Sequence, residues 1–181
     1  MFCYSEILGA PMIVRDNKRM EVGMLAGEYC NRDVAIVGKT DSVLKAAKLM
    51  RELHVGDVIV VDAINGERAP VGILSDRDIV IGVLAEEIDI NFVVLEDVMS
   101  YKLVVAQEDD DMMSVIKRMR VNGIRRMPIV NKKGGLIGVL SVDDILDIIA
   151  EQIMDIEQLI YNEQSKERKL RPPLAGNAIN R

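Results

Sequence analysis

The sequence predicts an α/β (α+β) fold built from two similar units, and three observations support this prediction. Two segments repeat one residue pattern, each pattern alternates short β-branched strands with amphipathic helices, and the apolar residues are mostly aliphatic. Of the 181 residues, 49% are hydrophobic and 29% are charged, whereas only 3% are aromatic. This composition is typical of a globular protein with an aliphatic core rather than of a disordered chain.

An internal repeat defines the two units. Residues 30–62 align with residues 99–131, and residues 72–80 align with residues 138–146. The first alignment has a constant offset of 69 residues (99 minus 30), and the second has an offset of 66 (138 minus 72). A single unit cannot bury its own apolar strands, so we expect the two units to pack together about a pseudo-twofold axis.

Each repeat reads as strand, helix, strand, strand and helix. The first strands are predicted at residues 34–37 and 103–105, before polar helix-start residues. The next helices place apolar residues at i, i+3, i+4 and i+7, a face that must be buried. These faces comprise Val43, Ala46, Ala47 and Met50, and Met112, Val115, Ile116 and Met119. The later strands are predicted at 58–61, 71–74, 127–130 and 136–140, with turns at Asn65-Gly66 and Gly134-Gly135.

The chain divides into an N-terminal arm (1–27), a first repeat (28–90), a second repeat (91–150) and a C-terminal helix and tail (151–181). A turn signal at Asp16-Asn17 is consistent with a small hairpin in the arm. The last helix is predicted to run from Val142 to Leu170, without Pro or Gly. Its apolar stripe extends beyond one small domain, so the outer turns either pack on a partner chain or on the arm, or form a solvated tail.

Charge and cysteine content disfavour several classes of protein. A net charge of −6 opposes nucleic-acid binding. The only feature that favours it is the cluster of arginines within residues 118–126. Cys3 and Cys30 are too few for a disulfide framework or a thiolate metal site, which fits a reducing compartment. No apolar stretch approaches the length of a membrane span. We therefore expect a cytoplasmic protein that binds neither membranes nor nucleic acid.

The sequence offers no recognisable catalytic or metal site. Nucleophile-elbow, Cys-x-x-Cys, Walker-type and dinucleotide glycine motifs are missing from the sequence. The single histidine, His54, has no neighbouring ligands that would complete a metal site. The acidic run at 108–111 is either a Mg²⁺ site or, as we favour, a helix start where carboxylates suit the helix dipole. We expect a protein that is not an enzyme, holds no metal and requires no cofactor.

One motif with binding chemistry occurs in both repeats, at a junction of strand and helix. It reads Gly-apolar-Leu-Ser-x-x-Asp and comprises Gly72, Ser75 and Asp78, then Gly138, Ser141 and Asp144. A serine at a helix start can donate to a phosphate, and a carboxylate one turn later can accept both hydroxyls of a ribose. The alternative is a local capping box. Capping requires neither the glycine nor the duplication, so the duplicated motif favours binding.

Over residues 27–149 the chain resembles a tandem CBS-domain pair of the stand-alone kind. The resemblance is carried by the duplicated motif, by GIRRMPIV and by GILSDRDI. It implies a disc-shaped regulatory module with two clefts between the repeats that accept AMP, ADP, ATP, S-adenosylmethionine or a related adenosyl ligand. Ligand binding then shifts a conformational equilibrium. It also implies a homodimer and a regulated partner protein.

The resemblance assigns roles to individual residues. Asp78 and Asp144 would hold ribose hydroxyls, and Ser75 and Ser141 would approach phosphate or ribose. The backbone around Met127-Pro128 would line the adenine pocket, and Thr40 would contribute from the end of the first strand.

The two repeats differ in charge at equivalent positions. Arg125 and Arg126 of the second repeat align with Gly56 and Asp57 of the first. We therefore expect the two clefts to differ in phosphate affinity. The candidate phosphate contacts are Arg77, Lys102, Arg125 and Arg126, although the same arginines would also suit a solvated surface.

The leading hypothesis is thus a nucleotide-sensing module. The main rival is a structural or partner-docking scaffold with degenerate clefts that acts through the C-terminal helix. A nucleotide-hydrolysing or nucleotidyl enzyme would require a base or metal that the sequence does not offer.

Overall fold

Two three-stranded sheets, one from each repeat, form the centre of the computed structural model, which describes residues 23–171. In each sheet the first strand runs parallel to the second, and the second runs antiparallel to the third. The predicted α/β (α+β) class with two repeats is confirmed. The predicted hairpin at Asp16-Asn17 lies outside the described residues.

The elements follow one order in both repeats. In chain order they are α1 (Ala26–Tyr29), β1 (Ile36–Gly38), α2 (Val43–Leu53), β2 (Asp57–Ile64), β3 (Glu67–Ser75), α3 (Asp76–Ile79) continued by a π-helical turn (Val80–Leu84), a 3-10 turn (Ile90–Phe92), α4 (Leu95–Val98), β4 (Ala106–Gln107), α5 (Met112–Asn122), β5 (Arg126–Val130), β6 (Leu136–Ser141) and α6 (Val142–Leu170).

Local signals in the sequence explain where α2 and α5 begin and end. The side chain of Ser42 accepts a hydrogen bond from the backbone N–H of Lys45 (3.2 Å), and Asp111 does the same for Ser114 (3.0 Å). Both helices end on a left-handed residue, His54 (φ 56°) and Gly123 (φ 64°) respectively. The predicted apolar faces of both helices pack into the two cores.

The first strand of each repeat begins later than predicted. β1 starts at Ile36 rather than at residue 34, and β4 starts at Ala106, so the predicted strand over 103–105 is wrong. The preceding segments contact the other repeat, although the carbonyl of Ala35 still accepts a hydrogen bond from the N–H of Ile59 in its own sheet. Asn31 bridges to Val139 on β6, and Ser100 bridges to Ile73 on β3.

The short helices α1 and α4 are exchanged between the repeats. α1 precedes the first repeat, but its Ala26 and the following Cys30 are buried in the core of the second. α4 precedes the second repeat, but Leu95 and Met99 are buried in the core of the first. Each core is therefore completed by a helix from the opposite half of the chain.

The glycine of the duplicated motif makes room for this exchange. A Cβ atom on Gly138 would lie 2.5 Å from the backbone oxygen of Asn31, and one on Gly72 would lie 2.6 Å from Sδ of Met99. Both glycines thus permit a close approach by the crossing segment. The repeated glycine was predicted to favour ligand binding, whereas in the structure it has a packing role.

The long C-terminal helix is confirmed, with the predicted bounds. Among residues 23–171, only the first turns of α6 pack on the body, where Ile145 is buried and Ile148 contacts the second core. Within residues 23–171, no helix combines the length and apolar character needed to cross a bilayer.

Candidate functional site

Two clefts lie between the repeats, and each combines a Ser-x-x-Asp junction with the crossing segment of the other repeat. We call them the Ser75 cleft and the Ser141 cleft. The Ser75 cleft is lined by Asp57, Ile73, Ser75, Asp78, Lys102, Leu103, Val104, Gly123, Ile124, Arg125 and Arg126. The Ser141 cleft is lined by Asn31, Asp33, Val34, Ala35, Val55, Asp57, Ile59, Arg126, Val139, Ser141 and Asp144.

Most lining positions of the two clefts correspond under the repeat alignment. Asp33 aligns with Lys102, Val55 with Ile124, and Val139 with Ile73. The clefts are therefore two copies of one site, related by the pseudo-twofold axis. Their side chains and their volumes differ.

The serine and aspartate of each motif form a complete capping box. Oδ2 of Asp78 accepts hydrogen bonds from the backbone N–H of Ser75 (2.8 Å) and from its hydroxyl (2.7 Å). Oδ2 of Asp144 accepts the same pair from Ser141, at 2.8 and 2.6 Å. The capping alternative is thus realised in both copies, and it holds each carboxylate rigidly beside its cleft.

Capping leaves part of each carboxylate available. Within residues 23–171 the hydrogen bonds to Asp78 and Asp144 all fall on Oδ2. Oδ1 of each side chain therefore keeps its lone pairs for a ligand hydroxyl. Capping and ligand binding are compatible at this motif.

An ion pair separates the two clefts. The guanidinium of Arg126 donates to Oδ2 of Asp57, and both side chains line both clefts. Asp57 is only 16% exposed, whereas Arg126 is 38% exposed. Burial raises the pKa of the Asp57 carboxyl, and the charge and hydrogen bond of Arg126 act in the opposite direction.

The clefts differ in charge. Three basic side chains and two carboxylates line the Ser75 cleft, because Lys102, Arg125 and Arg126 reach it. One basic side chain and three carboxylates line the Ser141 cleft, where Asp33 takes the place of Lys102.

The clefts also differ in size. The Ser75 cleft has a volume of about 440 Å³, within the ~300–1,000 Å³ range of small-molecule sites. The Ser141 cleft has a volume of about 160 Å³, which falls below that range. Size and charge thus favour the same cleft for a phosphate-bearing ligand.

The structure brings seven of the eleven predicted site residues to the clefts. They are Ser75, Asp78, Lys102, Arg125, Arg126, Ser141 and Asp144. Thr40 follows the far end of β1, at the sheet edge opposite the clefts, and Arg77 is exposed outside both linings. Met127 and Pro128 are fully buried in the core and belong to neither lining.

Apart from Lys102, sequence reasoning missed the crossing segments. Asn31, Asp33 and Leu103 line the clefts from the half of the chain opposite to the motif. The repeat alignment contained a usable signal, since it matches Asp33 with Lys102 and so marks a charge reversal.

Comparisons with known proteins agree with this architecture. The family model described as "CBS domain" matches residues 26–84 and 95–151. An uncharacterized protein of Methanopyrus kandleri is 35% identical over 132 residues, which cover 73% of this chain and 66% of the relative.

Solved structures share the fold. The CBS domain pair of protein MJ0100, in complex with 5′-methylthioadenosine and S-adenosyl-L-methionine, superposes with a TM-score of 0.61 at 22% identity and covers 72% of this chain and 98% of that one. The cytosolic domain of the Mg²⁺ channel MgtE, in complex with ATP, superposes with a TM-score of 0.57 at 25% identity and covers 68% of this chain and 48% of that one.

Proposed function

This chain belongs to the CBS domain family, and on that premise we propose that it is a regulatory module that senses an adenosine nucleotide carrying phosphate. The nucleotide occupies the Ser75 cleft. The observation that carries this proposal is the convergence of Lys102, Arg125 and Arg126 on a cleft that also presents the free Oδ1 of Asp78. The ligands of the two structural neighbours support the adenosyl class.

Each part of the nucleotide has a matching group in the Ser75 cleft. Oδ1 of Asp78 accepts a ribose hydroxyl, because the capping box fixes its position. Lys102 and Arg125 are exposed, so they reach the phosphates without a large loss of hydration. The apolar side chains Ile73, Leu103 and Ile124 contact the base.

The Ser141 cleft is proposed as a weaker site for phosphate. Its carboxylates repel a phosphate chain, and its volume requires the repeats to open before a nucleotide enters. A phosphate-free adenosyl ligand is the class that its charge tolerates.

The proposal treats the protein as a binding module, not as an enzyme. It acts on a partner protein in the cytoplasm, and it associates into a homodimer. Ligand binding changes the relative position of the two repeats, because each cleft is built from both of them.

Isothermal titration of the purified protein with AMP, ATP and S-adenosylmethionine tests this function. Asp78→Asn keeps a capping acceptor but removes the carboxylate, and Asp76→Asn is the matched control because Asp76 lies next to the cleft lining. We expect ATP affinity to fall at least tenfold in Asp78→Asn and to stay unchanged in the control. Equal affinity in Asp78→Asn, Asp144→Asn and the wild type would refute the proposed site.

A scaffold function is the second candidate, because most of α6 projects beyond the body with its apolar residues exposed. No binding of any of the three ligands would favour the scaffold.

A further inference from the structure

α6 carries an apolar surface that no other element among residues 23–171 covers. From residue 149 to residue 171 every side chain except Ser165 is exposed. We call Ile149, Ile153, Ile156 and Ile160 the isoleucine seam, and their exposed fractions are 47, 61, 59 and 47%. Four exposed isoleucines in a row along one helix mark an interaction surface rather than scattered surface residues.

The spacing of the isoleucine seam identifies the kind of partner. Its members are separated by four, three and four residues, and Leu146 precedes Ile149 by three. This pattern averages 3.5 residues and is the a/d pattern of a coiled coil, in which the partner is another helix. A helix that projects without tertiary contacts is marginal in water, so a partner helix would also stabilise α6 itself.

The charges along α6 favour pairing with a second copy of the same helix in antiparallel orientation. Between residues 142 and 158 the helix has six acidic residues and no basic one. Its last turns carry Lys166, Arg168 and Lys169. Two copies that run antiparallel bring the basic end of each towards the acidic start of the other, and this arrangement is favourable.

A parallel pair is disfavoured by the residues that continue the seam. Glu163 follows Ile160 by three residues, and Glu167 follows by seven. In a parallel, in-register pair each glutamate would face its own copy, and such like-charge contacts destabilise a coiled coil. In an antiparallel pair the glutamates of the two copies lie at opposite ends, so they do not face each other.

We propose that α6 pairs in antiparallel fashion with α6 of a second copy, through the isoleucine seam. Ile153 packs against Ile156 of the partner subunit, and Ile149 packs against Ile160 of the partner subunit. This register sets Lys166 level with Asp143 of the partner subunit. The inference specifies the homodimer of the proposed function and does not depend on nucleotide binding.

Sedimentation equilibrium of the full chain across a micromolar range tests the pairing. We compare the wild type with Ile153→Lys/Ile156→Lys and with Gln158→Lys/Asn162→Lys, which adds the same charge on the polar face of α6. We expect a dimer for the wild type and the control and a monomer for the seam variant. Cooperative thermal unfolding of the seam variant, followed by circular dichroism, checks that its body still folds.

Each outcome is decisive. A monomeric wild type refutes both this inference and the homodimer, and it would fit a seam covered within the chain. A seam variant that stays dimeric refutes α6 pairing but leaves the homodimer standing. Nucleotide titration of the same samples reports on the Ser75 cleft separately.

A distance measurement tests the direction of the helices. A spin label at Ser165→Cys, in a Cys3→Ser/Cys30→Ala background, lies near the basic end of α6. Two labels in the antiparallel pair are separated along the axis by ~30 Å at the helical rise per residue. Labels with no axial separation would refute the antiparallel arrangement.

Discussion

Removing Arg126 should expose how much the ion pair between the clefts contributes to stability. Arg126→Ala leaves Asp57, at 16% exposure, without its counter-charge. Loss of one partner costs ~3–5 kcal/mol for a fully buried pair and ~0–1 kcal/mol for an exposed one. Because the Arg126 side chain is 38% exposed, we expect a loss of about 1–2 kcal/mol at neutral pH.

The size of this loss should depend on pH. An aspartate whose folded pKa is raised contributes stability that is present below its unfolded pKa and is lost as pH rises through the folded pKa. Burial already raises the pKa of Asp57, and Arg126 opposes that rise. Without Arg126 the folded pKa of Asp57 rises further. The difference between wild type and variant should therefore be largest at neutral pH and shrink as pH falls towards ~4, the ordinary aspartate value.

Urea unfolding at neutral and acidic pH measures both effects. Arg125→Ala is the matched control, since its side chain is 79% exposed and pairs only distantly with Asp143 (3.7 Å). Asp57→Asn/Arg126→Ala should regain most of the stability lost in Arg126→Ala, because no buried charge remains unpaired. The reasoning fails if Arg126→Ala matches Arg125→Ala at neutral pH, or if its loss is the same in acid.

Three further substitutions test packing, backbone strain and burial. Gly138→Ala should lower the free energy of unfolding by about 1–3 kcal/mol. The loss should exceed that of Gly72→Ala, because a backbone oxygen limits the space at Gly138 and a flexible methionine side chain limits it at Gly72. Equal decreases of Tm in the two variants would contradict this. His54→Gly should raise the urea midpoint slightly, since the left-handed backbone there suits glycine, and a lower midpoint would count against it. Burial raises the pKa of the Cys30 thiol, so in a Cys3→Ser background Ellman's reagent should react slowly with native protein and fast in urea; fast native reaction would be incompatible with burial.

Local patterns in the sequence were enough to predict α2, α5 and α6, but not the short helices α1 and α4. α5 follows from apolar residues at helical spacing together with Asp111 as its cap and Gly123 as its end, and all of these signals lie within one short segment. The bounds of α6 follow from an uninterrupted isoleucine pattern. Neither prediction required knowledge of a distant partner.

Features set by distant contacts were not predictable in the same way. The segment over 103–105 looks like a strand, but its neighbour Ser100 pairs with Ile73 of the other repeat, and no local pattern reveals that partner. Likewise, the alignment placed Asp57 and Arg126 at equivalent positions without showing that they touch across the pseudo-twofold axis. The fully buried position of Met127 and Pro128 also follows only from three-dimensional packing.

The exchanged helices impose an order on folding during synthesis. α1 leaves the ribosome early, but the surface that receives it includes β6, which is completed ~110 residues later. The core of the first repeat likewise remains incomplete until α4, which follows α3 in the chain, has been synthesised. Contacts this distant in sequence slow folding. During that interval α1 has no core to join, whereas the first core has all of its residues once α4 has been synthesised.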